Sequence, residues 1–447
     1  MPARIHIIGG GLAGSEAAWQ IAEAGLTAVL HEMRPVRQTA AHQTDRLAEL
    51  VCSNSLKSEQ EDSAPWLLKQ ELRRLGSVVL RAAAMARVPG GHALTVDRDI
   101  FAAEVTRAVT AHPRIEIRRE EVREVPDTGL AGITVIATGP LTSDALAGEI
   151  ARLTGSNRLF FYDSISPIVE ADSVDQTVAF RASRYDKSLD GTADYVNCPF
   201  DRSQYEAFVD ALLAAQSVTS HITEDVPYFE ACLPIEELAR RGRDTLRFGP
   251  MKPMGLIDPR TGHRPWAAVQ LRQENLRADS FNLVGFQNHL KFGEQARILR
   301  MIPGLEHADF LRFGQIHRNT YINAPALLTP TLQLRARPEV FFAGQISGVE
   351  GYVEAIATGL MAGLHAVELA GGGRPEPFPR ETALGSLCHY ISGADPRNYQ
   401  PANITFDLLP QLDESTRQRL RHDKHARHAE VCRRAAEAMD QHLHSHV

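Results

Sequence analysis

The chain opens with two hydrophobic patterns in quick succession. Ile5 to Ile8 form a short apolar run, suited to a buried parallel strand. Residues 13–24 then repeat apolar positions at helical spacing and stop at Gly25, a glycine suited to the C-terminal cap. A second run, Ala28-Val29-Leu30, ends in His31-Glu32. Two later stretches have the same buried-strand character: Thr134 to Thr138, which stops at Gly139-Pro140, and Val340 to Ala343, which stops at Gly344-Gln345. A helix is predicted from about Tyr352 to Ala370. Between about residues 165 and 330 the texture changes. Thr177–Arg181 and Ala193–Cys198 alternate like half-buried strands, and Pro and Gly cluster from Gly249 to Pro265. From about Asp413 a charged helix is predicted. The pattern predicts an α/β chain with a Rossmann-like domain built from residues 1–164 and 335–447. An α+β domain, residues 165–334, is inserted into it. A length of 447 residues fits two domains better than one core.

The first turn carries the most specific signal. Gly9, Gly10, Gly11, Leu12, Ala13 and Gly14 spell G-x-G-x-x-G between the first strand and the first helix. Gly9 permits a tight turn, Gly11 lets a pyrophosphate approach the backbone, and Gly14 lets helix and strand pack closely. The helix N-terminus adds free N–H groups and the positive end of its dipole. Glu32, at the end of the second strand, is placed to accept hydrogen bonds from an adenosine ribose. The returns to the sheet at Thr138-Gly139 and Gly344-Gln345, followed by a helix aimed at the pyrimidine end of a flavin, favour FAD over NAD.

Composition narrows the classes. Hydrophobic residues make up 43% and charged residues 23%, as in a packed globule. No apolar run is long enough to predict a membrane span, and MPARIHIIGGG reads as a first strand and not a signal peptide. The net charge of -7 argues against non-specific coating of nucleic acid, so no DNA partner is expected and any RNA must meet a local basic patch. The five cysteines form no CxxC pair, so free thiols in a reducing cytoplasm are expected. His442, His444 and His446 lie two apart and do not share a helix face, so no metal site is predicted.

Candidate chemistry lies in four places. Cys52, in ELVCSNSLKS, precedes small polar residues that favour a turn or a helix start, a setting that promotes thiolate character near Lys57. A buried inert thiol is the alternative. Cys232, in YFEACLPIE, has Glu230 and Glu236 on one side of the balance and Arg240, Arg241 and Arg243 on the other, and spacing does not decide between them. From Arg240 to Arg264 there are seven Arg or Lys against two Asp, an excess of five, with Phe248 within the stretch and Trp266 beside it. That suits phosphate contact and base stacking, or a solvated loop. Finally, Phe286–Glu294 and Gln315–Tyr321 are polar and aromatic enough to line a ligand cleft, and His317 could stack on a planar ligand.

Taken together, GGGLAGSEAAWQIAEAG, HEMRP, ELVCSNSLKS, FEACLPIEELA, GPMKPMGL, LVGFQNHLKFGEQ, HRNTYINAP and FFAGQISGVEGYVEAIATGLMAG resemble the folate- and FAD-dependent tRNA (uracil-5-)-methyltransferases. The resemblance runs from about residue 5 to residue 363. It implies 5-methyluridine formation at position 54 in the T-loop of tRNA. The carbon is expected from 5,10-methylenetetrahydrofolate and the electrons from NAD(P)H through FAD. Carried over by motif, Cys232 is the expected nucleophile toward uracil, and Cys52 a second functional cysteine near the flavin. Gly9 to Gly14 are the phosphate loop, and His317 and Glu350 are candidates for the folate pterin. A related flavoprotein family, GidA, modifies the wobble uridine, but its chains are longer. Two other classes remain compatible with the cofactor motif: a small-molecule flavin oxidoreductase and a non-catalytic RNA-binding flavoprotein.

Overall fold

The structure is a computed structural model. It describes residues 4–39, 41–126, 132–155, 159–188, 191–218, 233–314, 316–397 and 399–445, with 159–164 and 316–320 described by their backbone alone. Its first core is built on a six-stranded sheet ordered Gln333–Leu334, Arg337–Phe342, Thr134–Ile136, Arg4–Ile8, Thr27–Glu32, Ile115–Arg119. All neighbours are parallel except the short edge strand Gln333–Leu334. The register pairs Ile8 with His31 and Ile136, and Ile136 with Phe342. The carboxyl ends of four strands therefore finish level, which is where ligands sit in open α/β sheets.

Two helices start beside those ends. The helix Leu12–Glu23 follows the first strand, and its chain turns back through Gly25 at φ +86°. The helix Tyr352–Ala370 packs along it so closely that a Cβ on Gly359 would lie 2.3 Å from the Ala13 carbonyl oxygen. This helix is long and apolar enough to cross a membrane, but here its apolar side chains are mostly buried in the first core. A three-stranded sheet, Ser55–Ser58, Ala93–Val96, Arg87–Val88, flanks the same core.

A second core fills one side of a six-stranded antiparallel sheet. Its order is Phe180–Arg181, Tyr195–Phe200, Ala267–Gln273, Ser280–Leu283, Ile168–Glu170, Phe310–Arg312. The chain enters and leaves this region along an antiparallel pair, Leu159–Ser164 with Ile316–Tyr321. From Tyr321 to Leu334 its apolar residues already belong to the first core. Only Phe180–Arg181 of the alternating stretch at 177–181 is strand. The Asp175 carboxylate accepts from the Thr177 N–H and hydroxyl, and this turn takes the chain away from the sheet.

The two regions are tied by polar contacts. The fully buried Asn54 donates to the Val96 and Gln273 carbonyls and accepts from Arg272 Nε at 2.9 Å. Gly91 N–H donates to the Asp194 carboxylate, and Leu276 N–H to Asp97.

Candidate functional site

A cleft of about 400 Å³ opens at the carboxyl ends of the parallel strands, within the usual size range of cofactor sites. One end is the glycine turn. Gly9 has φ +105°, and a Cβ there would lie 2.5 Å from the Ala137 carbonyl oxygen. A Cβ on Gly14 would lie 1.8 Å from the Gly9 carbonyl oxygen, so strand and helix meet backbone to backbone. A Cβ on Gly11 would meet no protein atom within 4 Å. Its missing side chain leaves room on the cleft side, not inside the protein. Gly9 to Ala13 line the cleft, while Gly14 packs behind it. No side chain caps the helix Leu12–Glu23 or the helix Tyr352–Ala370. Residues at both N-termini, Leu12, Ala13 and Tyr352, line the cleft. A glycine cradle between two uncapped helix starts fits the diphosphate and the extended shape of FAD.

Glu32 sits beside this turn, 5% exposed. It accepts from the Gly10 N–H at 2.9 Å and from the Arg34 N–H and guanidinium at 2.9–3.2 Å. Burial alone would raise its pKa. The Arg34 guanidinium and the two backbone N–H groups outweigh that and hold the carboxyl below its ordinary range. Arg34 is itself buried and pairs with Glu49 as well. Nothing in the local sequence marked Arg34 beyond its place two residues after Glu32. Thr138, Gly139, Gly344 and Gln345 also line the cleft, at the ends of the strands Thr134–Ile136 and Arg337–Phe342.

The far end of the cleft is lined by Val51, Cys52, Ser53, Ser55, Lys57, Gln287, Glu350, Gly351 and Tyr352. Cys52 lies in a turn ahead of the strand Ser55–Ser58, the first of the two alternatives its small polar neighbours allow. Its backbone is held from two sides. The N–H groups of Cys52 and Ser53 donate to the Tyr352 hydroxyl at 2.8 and 3.1 Å. Burial pushes that phenol well above its ordinary range, so it is neutral. Arg98 donates to the Leu50 carbonyl at 2.7 Å and to the Cys52 carbonyl at 3.2 Å, and Arg312 donates to the Val51 carbonyl at 3.3 Å. Arg272 reaches the Ser53 hydroxyl at 3.3 Å. Tyr352, Arg98, Arg272 and Arg312 come from distant parts of the chain, and no local motif announced them.

Glu350 accepts from Gln345 Nε2 at 2.7 Å, and its N–H donates to Ala402. Lys57, with φ +61°, donates to Glu354 and Asn403. Of the stretch Phe286–Glu294, Gln287 faces the cleft, whereas Asn288 and His289 are buried. The Gln287 carbonyl accepts from the Ile235 N–H at 2.8 Å. Cys232 lies outside the described residues. His317 belongs to the strand Ile316–Tyr321, and its side chain is outside them too.

The basic stretch 240–264 is less charged in space than in sequence. Arg240, Arg243, Arg247 and Arg260 pair with Glu237, Asp210, Asp244 and Asp258. Trp266 is covered by Arg247, 3.7 Å from the ring centre, whereas Phe248 is 81% exposed.

The comparisons agree with this geometry. A family model described as glucose inhibited division protein A matches residues 4–373. A methylenetetrahydrofolate–tRNA-(uracil-5-)-methyltransferase TrmFO of Solibacter usitatus is 74% identical over 99% of both chains. Its counterpart from Koribacter versatilis is 63% identical over 98% of both. A solved structure of Aquifex aeolicus GidA matches 98% of this chain and 73% of its own, with a TM-score of 0.71 at 16% identity, which speaks for the fold. The chain therefore belongs to the methylenetetrahydrofolate–tRNA-(uracil-5-)-methyltransferase family, within the wider group described as glucose inhibited division protein A.

Proposed function

We infer that this protein methylates carbon-5 of a uracil in tRNA. It uses 5,10-methylenetetrahydrofolate as the carbon source and FAD with NAD(P)H for the electrons. The target we propose is position 54 of the T-loop, and the setting the cytoplasm, where tRNA, folate and nicotinamide meet. The observation that carries the reading is a single cleft with the glycine turn at one end and Cys52 at the other, in a chain 74% identical to such an enzyme over nearly its whole length.

The residues would divide the work along that cleft. The backbone N–H groups of Gly11 to Ala13 and the positive helix end would hold the pyrophosphate. Glu32 would face the ribose. Because Arg34 and Gly10 already engage both its oxygens, a ribose hydroxyl would compete with the longest of those contacts, Arg34 Nη2 at 3.2 Å. FAD, when bound, supplies the redox chemistry that converts the folate carbon to a methyl group. Cys232 is proposed to add through its sulfur to uracil carbon-6, which makes carbon-5 nucleophilic. After carbon-5 takes up the new carbon and loses its proton, expulsion of the thiolate restores the ring. Glu350 and His317 are proposed contacts of the pterin. The uracil must leave the T-loop stack to reach a thiol.

The test is release of 5-methyluridine from unmodified tRNA supplied with methylenetetrahydrofolate and NADPH. Omitting folate should abolish it. Product formed equally without folate would overturn the reading. A Cys232→Ala variant that keeps FAD should methylate nothing, and full turnover by it would refute that assignment alone.

A further inference from the structure

The turn bearing Cys52 is seated on three guanidinium groups that the function as stated does not use. Arg98, at the start of the helix Arg98–Ala111, binds the Leu50 and Cys52 carbonyls. Arg272, on the strand Ala267–Gln273, binds Asn54 and Ser53 side chains. Arg312, on the edge strand Phe310–Arg312, binds the Val51 carbonyl. Arg272 is 8% exposed, and the other two are half-buried. A buried charge is costly unless it is paired. Among the described residues one carboxylate, Glu274, serves the cluster, and it accepts from Arg98 at 2.7 Å and 3.3 Å. Tyr352, which is neutral, also faces the turn, and Lys57 and Glu350 line the same cleft.

We propose that Arg98, Arg272 and Arg312 are positioning residues that fix Cys52 at the cleft and, outnumbering Glu274 among the described residues, hold its sulfur as the thiolate. Carbonyl, hydroxyl and amide oxygens need donors but not cations, so hydrogen bonding alone does not call for three arginines. A sulfur that has to carry negative charge does. Two of the three arginines belong to the antiparallel sheet, so the reactivity of Cys52 depends on how that sheet sits against the first core.

The proposal rests on the reading that Cys52 reacts. Its test needs neither tRNA nor folate, so it can fail while the methylation assay succeeds. The FAD-loaded full-length enzyme is treated with iodoacetamide across a pH range, and alkylation of the Cys52 peptide is followed by mass spectrometry. Cys198, Cys388 and Cys432 are buried with thiols pushed up by that burial, which keeps them silent. R312Q should move the midpoint of the rate profile to higher pH and slow alkylation at pH 7 by about threefold to tenfold. R312K should behave as the parent. E274Q, which removes the opposing charge, should move the midpoint to lower pH. A purely structural seat would not give opposite signs. If R312Q does not fold, R272Q replaces it with the same expected direction. Midpoints that stay put, or that move the same way in the arginine and E274Q variants, overturn the proposal.

Discussion

At the glycine end of the cleft, Gly9, Gly10, Gly14, Glu32 and Arg34 shape one another within one continuous strand–helix–strand unit. At the Cys52 end, the turn is held by Arg98, Arg272, Arg312 and Tyr352, up to 300 residues away along the chain. The first end is built from backbone geometry, where a missing Cβ is the decisive feature. The second is built from buried charge and hydrogen bonds that only the finished fold assembles. A single cleft thus has one half specified locally and one half specified by tertiary contact. The two halves should fail in different ways.

The largest effect is expected at the glycine end. Gly14→Ala places a Cβ on the Gly9 carbonyl oxygen, an overpacking that a backbone contact cannot relieve, and should cost about 3 kcal/mol or more. FAD retained after gel filtration and the melting temperature should both fall. Gly11→Ala meets no protein atom, so it should melt like the parent yet bind FAD more weakly. Equal effects of the two substitutions would break the division between packing glycine and ligand-facing glycine.

Next is Tyr352→Phe. It removes the acceptor shared by the Cys52 and Ser53 N–H groups, a loss of about 1–3 kcal/mol for groups left unsatisfied. Methylation should drop roughly tenfold or more while the glycine end keeps its FAD. Loss of FAD in parallel with activity would mean that the two ends are not separable.

The smallest effect is a pH dependence. Glu32 has a folded-state pKa below its ordinary value because Arg34 and the Gly10 N–H outweigh burial. Its contribution is therefore complete above the ordinary carboxylate range and is lost as pH falls through the lower, folded value. FAD affinity should weaken on that acid side, and Glu32→Gln should flatten the acid limb in a fluorescence titration. The Cys52 end should be indifferent to this change.

This contrast explains what was legible in the sequence. Gly9 to Gly14, Glu32 and the helix Tyr352–Ala370 could be read because their roles follow from neighbours in the chain. Thr138, Gly139, Gly344 and Gln345 followed from strand ends, and all four line the cleft. Cys52 was legible as a candidate, and of the turn or helix start that its neighbours allow, the chain makes the turn and then a strand. The arginines that hold that turn are remote in sequence. Arg98 looked like any charged residue at a helix start, and Arg312 like any polar residue on a strand. The basic run 240–264 is less charged in space than its own count suggests, because Glu237 and Asp210, outside the counted stretch, pair with two of its arginines.

The central claim is that one cofactor spans both ends, so that its reactive ring lies at the sulfur of Cys52. The most direct measurement is the visible absorption spectrum and reduction potential of bound FAD in the parent and in Cys52→Ser. Full FAD binding is expected in both, with a shifted flavin band and a changed potential in the variant. Identical spectra and potentials, with FAD bound equally well, would contradict it.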